Sequence, residues 1–236
     1  MLNQWESLEQ QAMQEGWSYA QFLLQLCESE VHHRWQSWLK RALSEAQLPN
    51  GKTLSNFDWS HVPKLNPAPI RQLAEDPSWL ARADNCLIFG ASGVGKTHIA
   101  AAIARSMVEF AKRVKFFSAI ALVQHLQQAK LQLQLQLQAA LKKLDRFDLL
   151  ILDDLGYVKK SEAETSVLFE LIAHRYERKS LLITANQPFS QWDTIFADSM
   201  MTVAAVDRLV CNALIIDIQA ESYRKQSAQA RSTSPT

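Results

Sequence analysis

Apolar residues recur along this chain with two different periods. Two runs near the N-terminus, Glu6 to Glu15 and Tyr19 to Leu48, contain no proline. The second sets Phe22, Leu23, Leu26, His33, Trp38, Leu39 and Leu43 near helical spacing. Both runs are expected as helices, with Ser18 as N-cap of the second. From Pro49 to Pro77 the chain is rich in proline, asparagine and serine, which marks a loop-rich connector. Beyond it, short apolar runs alternate with helical stretches. Asn85–Phe89, Val114–Phe117, Leu149–Leu152, Leu181–Thr184 and Ala213–Ile218 read as strands. The alanine-rich segment after Lys96, Ile120 to Gln128, a segment from Ser161 to about Lys179, and Val203 to Leu209 read as helices, and Ser161 with Glu164 has capping-box spacing.

Strands alternating with helices predict an α/β fold: a parallel five-stranded sheet covered by helices on both faces. Ligands of such sheets sit at the carboxyl ends of the strands, where Gly90, Asp153 and Asn186 fall. Leu131 to Gln138 reads LQLQLQLQ; its period suits a two-faced strand, while both residue types are good helix formers. Sequence alone leaves that stretch open. The expected division is an N-terminal helical domain (1–50), a connector (51–80), a nucleotide domain (81–226) and a C-terminal tail (227–236).

Composition adds limits. A length of 236 residues suits one large α/β domain with a small appendage. Neither a signal peptide nor an apolar run approaching a membrane span is evident, so a cytoplasmic protein without membrane contact is expected. Cys27, Cys86 and Cys211 are odd in number, far apart and mostly set in apolar surroundings, so neither a disulfide framework nor a zinc site is indicated, and three buried thiols in a reducing cytosol are expected. Six of the seven tryptophans precede residue 80, where their default role is to pack the small helical domain. Net charge is only +1, but it is unevenly spread. Residues 1–60 carry four basic against seven acidic side chains, and residues 101–180 carry thirteen against nine. Any nucleic-acid surface is therefore more plausible in the nucleotide domain. Lysines such as Lys112, Lys115, Lys142 and Lys143 are also what a solvated face would carry.

The densest chemical signal is Gly90-Ala91-Ser92-Gly93-Val94-Gly95-Lys96-Thr97-His98, which fits G-x-x-x-x-G-K-[ST] between a strand and a helix. Its glycines let the chain curl so that backbone N–H groups face inward, and the positive end of the next helix completes a polyphosphate cradle. Lys96 is placed for the β- and γ-phosphates of ATP and the Thr97 hydroxyl for Mg2+. Asp153 and Asp154 close an apolar strand. Asp153 is the expected metal carboxylate, and Asp154 the group that orients or deprotonates the attacking water. Asn186, at the end of another strand, is placed to polarise that water, although asparagine is also common in turns. Phe57, Trp59 and Pro63 are weak candidates for a wall beside the base. Arg208 and Arg224 are candidate charge stabilisers, although by spacing alone a surface salt bridge is the better reading of each.

These motifs, in this order, resemble the IstB-like family: AAA+ ATPases that help insertion-sequence transposition and are related to bacterial helicase loaders. The resemblance spans roughly residues 6 to 226. It includes Leu54–Trp59, Gly90–His98, Leu150–Tyr157, Arg175–Ser180, Thr184–Phe189, Val206–Leu209 and Glu221–Arg224. It implies an AAA+ P-loop NTPase in which Asn186 is the first sensor, Arg208 an arginine finger acting across a subunit boundary and Arg224 a second sensor. It also implies a homo-oligomer assembled with ATP on double-stranded DNA, which it bends, and a partner transposase. Two features depart from the pattern: the leucine–glutamine run, and Lys159-Lys160, a candidate phosphate contact. A helicase loader would share the nucleotide residues. A small-molecule P-loop kinase would need lid arginines that this chain does not place, and a non-hydrolysing ATP-binding protein would not need the full residue set.

Overall fold

The computed structural model describes residues 5–132, 134–156, 161–194, 199–220 and 222–223. The chain divides into two compact units, Met1–Ser44 and Glu45–Thr236. The first holds helix α1 (Trp5–Glu15) and most of α2 (Tyr19–Ala46). Ser18 caps α2 as expected: its Oγ accepts from Gln21 N at 3.2 Å, and Gln21 Oε1 accepts from Ser18 N at 2.8 Å. The expectation that tryptophans pack a core here is corrected, because none of this unit's described residues is buried. Two helices cannot enclose a core. Trp35 instead stacks on Trp38 with ring centroids 5.0 Å apart, and Tyr19, Leu23, Leu24 and Val31 are exposed.

In the second unit, the stretch read as loop-rich carries a 3-10 turn (Trp59–His61) and helices α3 (Ala68–Glu75) and α4 (Ser78–Ala81). Ile70, Leu73, Trp79 and Leu80 bury there, so this stretch adds to the core. Then follow β1 (Asn85–Gly90), α5 (Lys96–Glu109), β2 (Val114–Ser118), α6 (Ala119–Gln132) and α7 (Gln134–Leu144). After these come β3 (Leu149–Leu155), α8 (Glu162–Arg175), β4 (Ser180–Ala185), α9 (Ser199–Val210) and β5 (Ala213–Ile218), with a second 3-10 turn at Phe189–Thr194.

The five strands form one parallel sheet in the order β2-β3-β4-β1-β5. Alternation sorts the buried side chains. Leu87 and Phe89 of β1, Leu150 and Leu152 of β3, and Leu181 and Ile183 of β4 join one apolar cluster with residues of α6, α7, α8 and α9. Their neighbours in sequence point to the other face, which α5 covers with Ile99, Ala100 and Ile103. The described residues of the leucine–glutamine run are helical, in α6 and α7. Leu137, Leu141 and Leu144 form an i, i+4, i+7 stripe that enters the core, whereas Leu131 and Leu135 stay exposed. One buried stripe is enough to decide the conformation.

Polar groups fasten the opposite end of the sheet. Asn85 Nδ2 donates to Leu209 O and its Oδ1 accepts from Leu181 N, tying β1 to α9 and β4. Buried Arg175 donates to the carbonyls of Leu144, Phe147, Asp148 and Ser180, and burial pulls its guanidinium down to about 10. Among the thiols only Cys86 is buried, which pushes it up to about 12; Cys27 and Cys211 are exposed, correcting the expectation of three buried cysteines. Among the described residues, no helix is long and apolar enough to cross a membrane.

Candidate functional site

Strand β1 ends at Gly90, the loop curls back, and α5 begins at Lys96 behind Gly95 (φ +103°), with no side-chain cap. The first N–H groups of α5 therefore have no side-chain partner at the cap and face the loop's hollow, which suits an anion. Two glycines are sterically required. A Cβ at Gly90 would stand 2.6 Å from Ile218 O, and one at Gly95 would stand 2.6 Å from Phe57 Cε2. Beside the loop lies a cavity of about 390 Å3 lined by Ser92 to His98, Lys52, Asn56, Phe57, Asp58, His61, Asp154 and Tyr223.

Lys96 is buried, and its Nζ donates to Gly90 O (2.8 Å), Ala91 O (2.9 Å) and Asn186 Oδ1 (2.6 Å). These three acceptors are neutral, so a phosphate oxygen is a stronger partner for the ammonium. Thr97 Oγ1 lies 3.0 Å from both carboxylate oxygens of Asp153. Burial holds Asp153 above the usual carboxylate range, against hydrogen bonds from Thr184 and Thr97, and nearby Asp154 adds to the rise. A hydroxyl and a desolvated carboxylate in contact form a hard-oxygen pair suited to Mg2+, which keeps waters and takes its other ligands from phosphate. Among the described residues no cluster of three or more His, Cys, Asp or Glu forms an all-protein metal cage.

Lys96, Thr97, Asp153, Asp154 and Asn186 thus come together from β1–α5, β3 and β4. Arg208 does not join them. It lies on α9, donates from Nη1 to Ala204 O at 2.8 Å, and holds its guanidinium 5.2 Å from the Phe169 ring. It borders a different surface hollow with Tyr176, Met200, Val203 and Asp207. Arg224, and the pair Lys159-Lys160 with Tyr157, lie outside the described residues. Lys115 is not on a helix face: it belongs to β2, is half-buried, and its Nζ donates to Glu45 O and Gln47 Oε1.

The far wall of the cavity was largely missed by sequence reasoning. Phe57 lines it and packs edge-on against Trp59 and His98, while Pro63 is not among the lining residues. His98 Nε2 is 2.9 Å from both Thr53 O and Asn56 Oδ1. A carbonyl only accepts, so this nitrogen carries the proton. Desolvation lowers the His98 pKa and favours the neutral ring. His61 packs edge-on against Tyr223 at 4.6 Å, and its Nε2 is buried with no hydrogen-bond partner among the described residues. Tyr223 N donates to Gly93 O at 3.1 Å, which brings Tyr223 against the loop. The available signals were Asp58, which caps the turn bearing His61, and the adjacency of Tyr223 to Arg224.

The family model described as IstB-like ATP binding protein matches residues 1–231. This chain belongs to the IstB-like family. An insertion-sequence ATP-binding protein of Sinorhizobium fredii is 51% identical over 224 residues, covering 95% of this chain and 74% of the relative. The insertion sequence IS21 ATP-binding protein of Pseudomonas aeruginosa is 35% identical over 219 residues, covering 93% and 82%. Among solved structures, a DNA replication initiation factor superposes with TM-score 0.60 at 19% identity, covering 78% of this chain and 55% of that one. DnaI superposes with TM-score 0.56 at 19% identity, covering 76% and 92%. These likenesses establish for this IstB-like chain the fold of an AAA+ P-loop NTPase.

Proposed function

We propose that this IstB-like chain is an ATPase that regulates transposition: with ATP it oligomerises on double-stranded DNA, bends it, engages a partner transposase and hydrolyses ATP to release. The observation that carries the reading is the meeting of Lys96, Thr97, Asp153 and Asn186 at the uncapped start of α5. The insertion-sequence names of its relatives support the biological setting. In this reading Lys96 exchanges its neutral acceptors for phosphate oxygens. Thr97 and Asp153 would hold Mg2+, which when bound neutralises charge on the β- and γ-oxygens. Asp154 orients the attacking water or takes its proton, and Asn186 polarises it.

Arg208 supplies a guanidinium to the site of a neighbouring subunit; its place on α9, away from its own cavity, supports a role in trans. Arg224 acts as the sensor within the same subunit. Nucleotide chemistry belongs to residues 81–226 with the connector 51–80, and the helices of 1–50 serve partner contact, followed by a tail at 227–236. The test is phosphate release and sedimentation, each with and without duplex DNA and with transposase or replicative helicase as bait. DNA-stimulated release, ATP-dependent assembly and transposase capture are expected. Hydrolysis indifferent to DNA, helicase capture or a phosphorylated small-molecule acceptor would each refute the reading.

A further inference from the structure

Strands β3 and β4 keep register as far as Leu152↔Ile183 and resume it at Leu155↔Ala185. Two residues of β3, Asp153 and Asp154, therefore stand against one of β4, Thr184, which is the geometry of a β-bulge. The core records the slip. Leu150, Leu152 and Leu155 all join the same apolar cluster, although strict alternation would put position 154 on that face. Asp154 is the inserted residue, and its φ of +58° lies in the left-handed region.

Thr184 fills the break in the ladder. It is fully buried, and its Oγ1 accepts from Asp154 N at 2.9 Å and donates to Asp153 Oδ1 at 2.6 Å. One hydroxyl thus spends its proton on the first carboxylate and a lone pair on the backbone of the second. In an unbroken strand, adjacent carboxylates would face opposite sides of the sheet, and Asp154 would enter the apolar cluster, where an unpaired charge is very costly. Here Asp153 reaches Thr97 while Asp154 lines the cavity.

We propose that Thr184 is a positioning residue for phosphoryl transfer: its hydroxyl holds the bulge that directs Asp153 to Thr97 and Asp154 into the cavity beside it. The consequence for rate rests on the ATPase reading, whereas the bulge does not. Thr184→Val keeps the shape and removes donor and acceptor together; Thr184→Ser keeps both. In the valine variant, exchange of the Asp154 amide is expected to accelerate about tenfold or more. Its kcat should fall about tenfold or more, with ATP affinity within about threefold of the parent. The serine variant should match the parent in all three measurements. If the valine variant does not fold, Thr184→Ala against Thr184→Ser makes the same comparison.

Parental exchange and turnover in the valine or alanine variant would overturn the proposal, as would a serine variant no better than either. Amide exchange is read without nucleotide. A parent that binds no ATP would therefore sink the ATPase reading, while the exchange comparison still decides what the hydroxyl does.

Discussion

Gly95→Ala is the sharpest test of how the connector and the phosphate loop fit together. The new Cβ would stand 2.6 Å from Cε2 and 3.1 Å from Cζ of Phe57, at a residue whose φ is +103°. Carbon atoms in contact prefer about 3.5–4.0 Å, so the ring must retreat by about 1 Å. Phe57 is almost fully buried between Trp59 and His98, which leaves it little room. Backbone strain and overpacking together are expected to cost about 3 kcal/mol. For a chain of this size that lowers Tm by about 6–12 °C. Phe57→Leu removes the clashing atoms and by itself should cost about 1 kcal/mol. The double variant should then be about 1–2 kcal/mol more stable than the sum of the single losses, because only the steric part of the cost is relieved. Thermal unfolding and equilibrium ATP binding on all four proteins complete the cycle, and affinity should fall in Gly95→Ala and recover partly in the double variant. Additive losses, or a Gly95→Ala protein with parental Tm, would refute this account of the contact.

Lys96→Ala should abolish nucleotide binding; micromolar ATP affinity measured by fluorescence would contradict the assigned role of the ammonium. Asp154→Asn should bind ATP without turning it over and so trap the DNA-bound oligomer, and normal phosphate release would require another base. Arg208→Ala should be inactive alone but recover activity when mixed with Asp154→Asn subunits, because each lesion then falls in a different composite site; no recovery would argue against action in trans. Burial raises Asp153 above its ordinary 3.8, so without a cation its contribution to stability is fully present below that value and is lost as pH rises through its folded pKa. Asp153→Asn should remove that part of the Tm–pH slope in EDTA and also the stabilisation by Mg2+ with ATP. An unchanged slope would show that Asp153 titrates as an exposed carboxylate does.

Elements whose cues are local were legible before the fold was known. Ser161 and Glu164 form both bonds of the capping box that their spacing announced, and Ala213–Ile218 is a strand from end to end. Where the deciding contact is distant, local reading fell short. The leucine–glutamine run offered both periods, and the burial of Leu137 and Leu141 beneath neighbouring helices decided for a helix. The tryptophans of the N-terminal unit misled for a related reason: large apolar side chains indicate a core only where enough chain surrounds them.

The site divides along the same line. A phosphate loop can be read because its strand end, glycines, ammonium and hydroxyl lie within eight residues, Gly90 to Thr97. The paired aspartates were read from their position alone, yet two neighbours on a regular strand point to opposite faces of the sheet. What brings Asp153 to Thr97 while Asp154 lines the cavity is the bulge at Thr184, thirty residues beyond Asp154 and apparent only once β3 and β4 are paired. His61 and Tyr223 likewise meet only in the fold, where Tyr223 lies against the loop. A motif therefore locates the reacting groups. Their direction is set by side chains that carry no motif, which in this chain means one buried hydroxyl holding one extra residue in a strand.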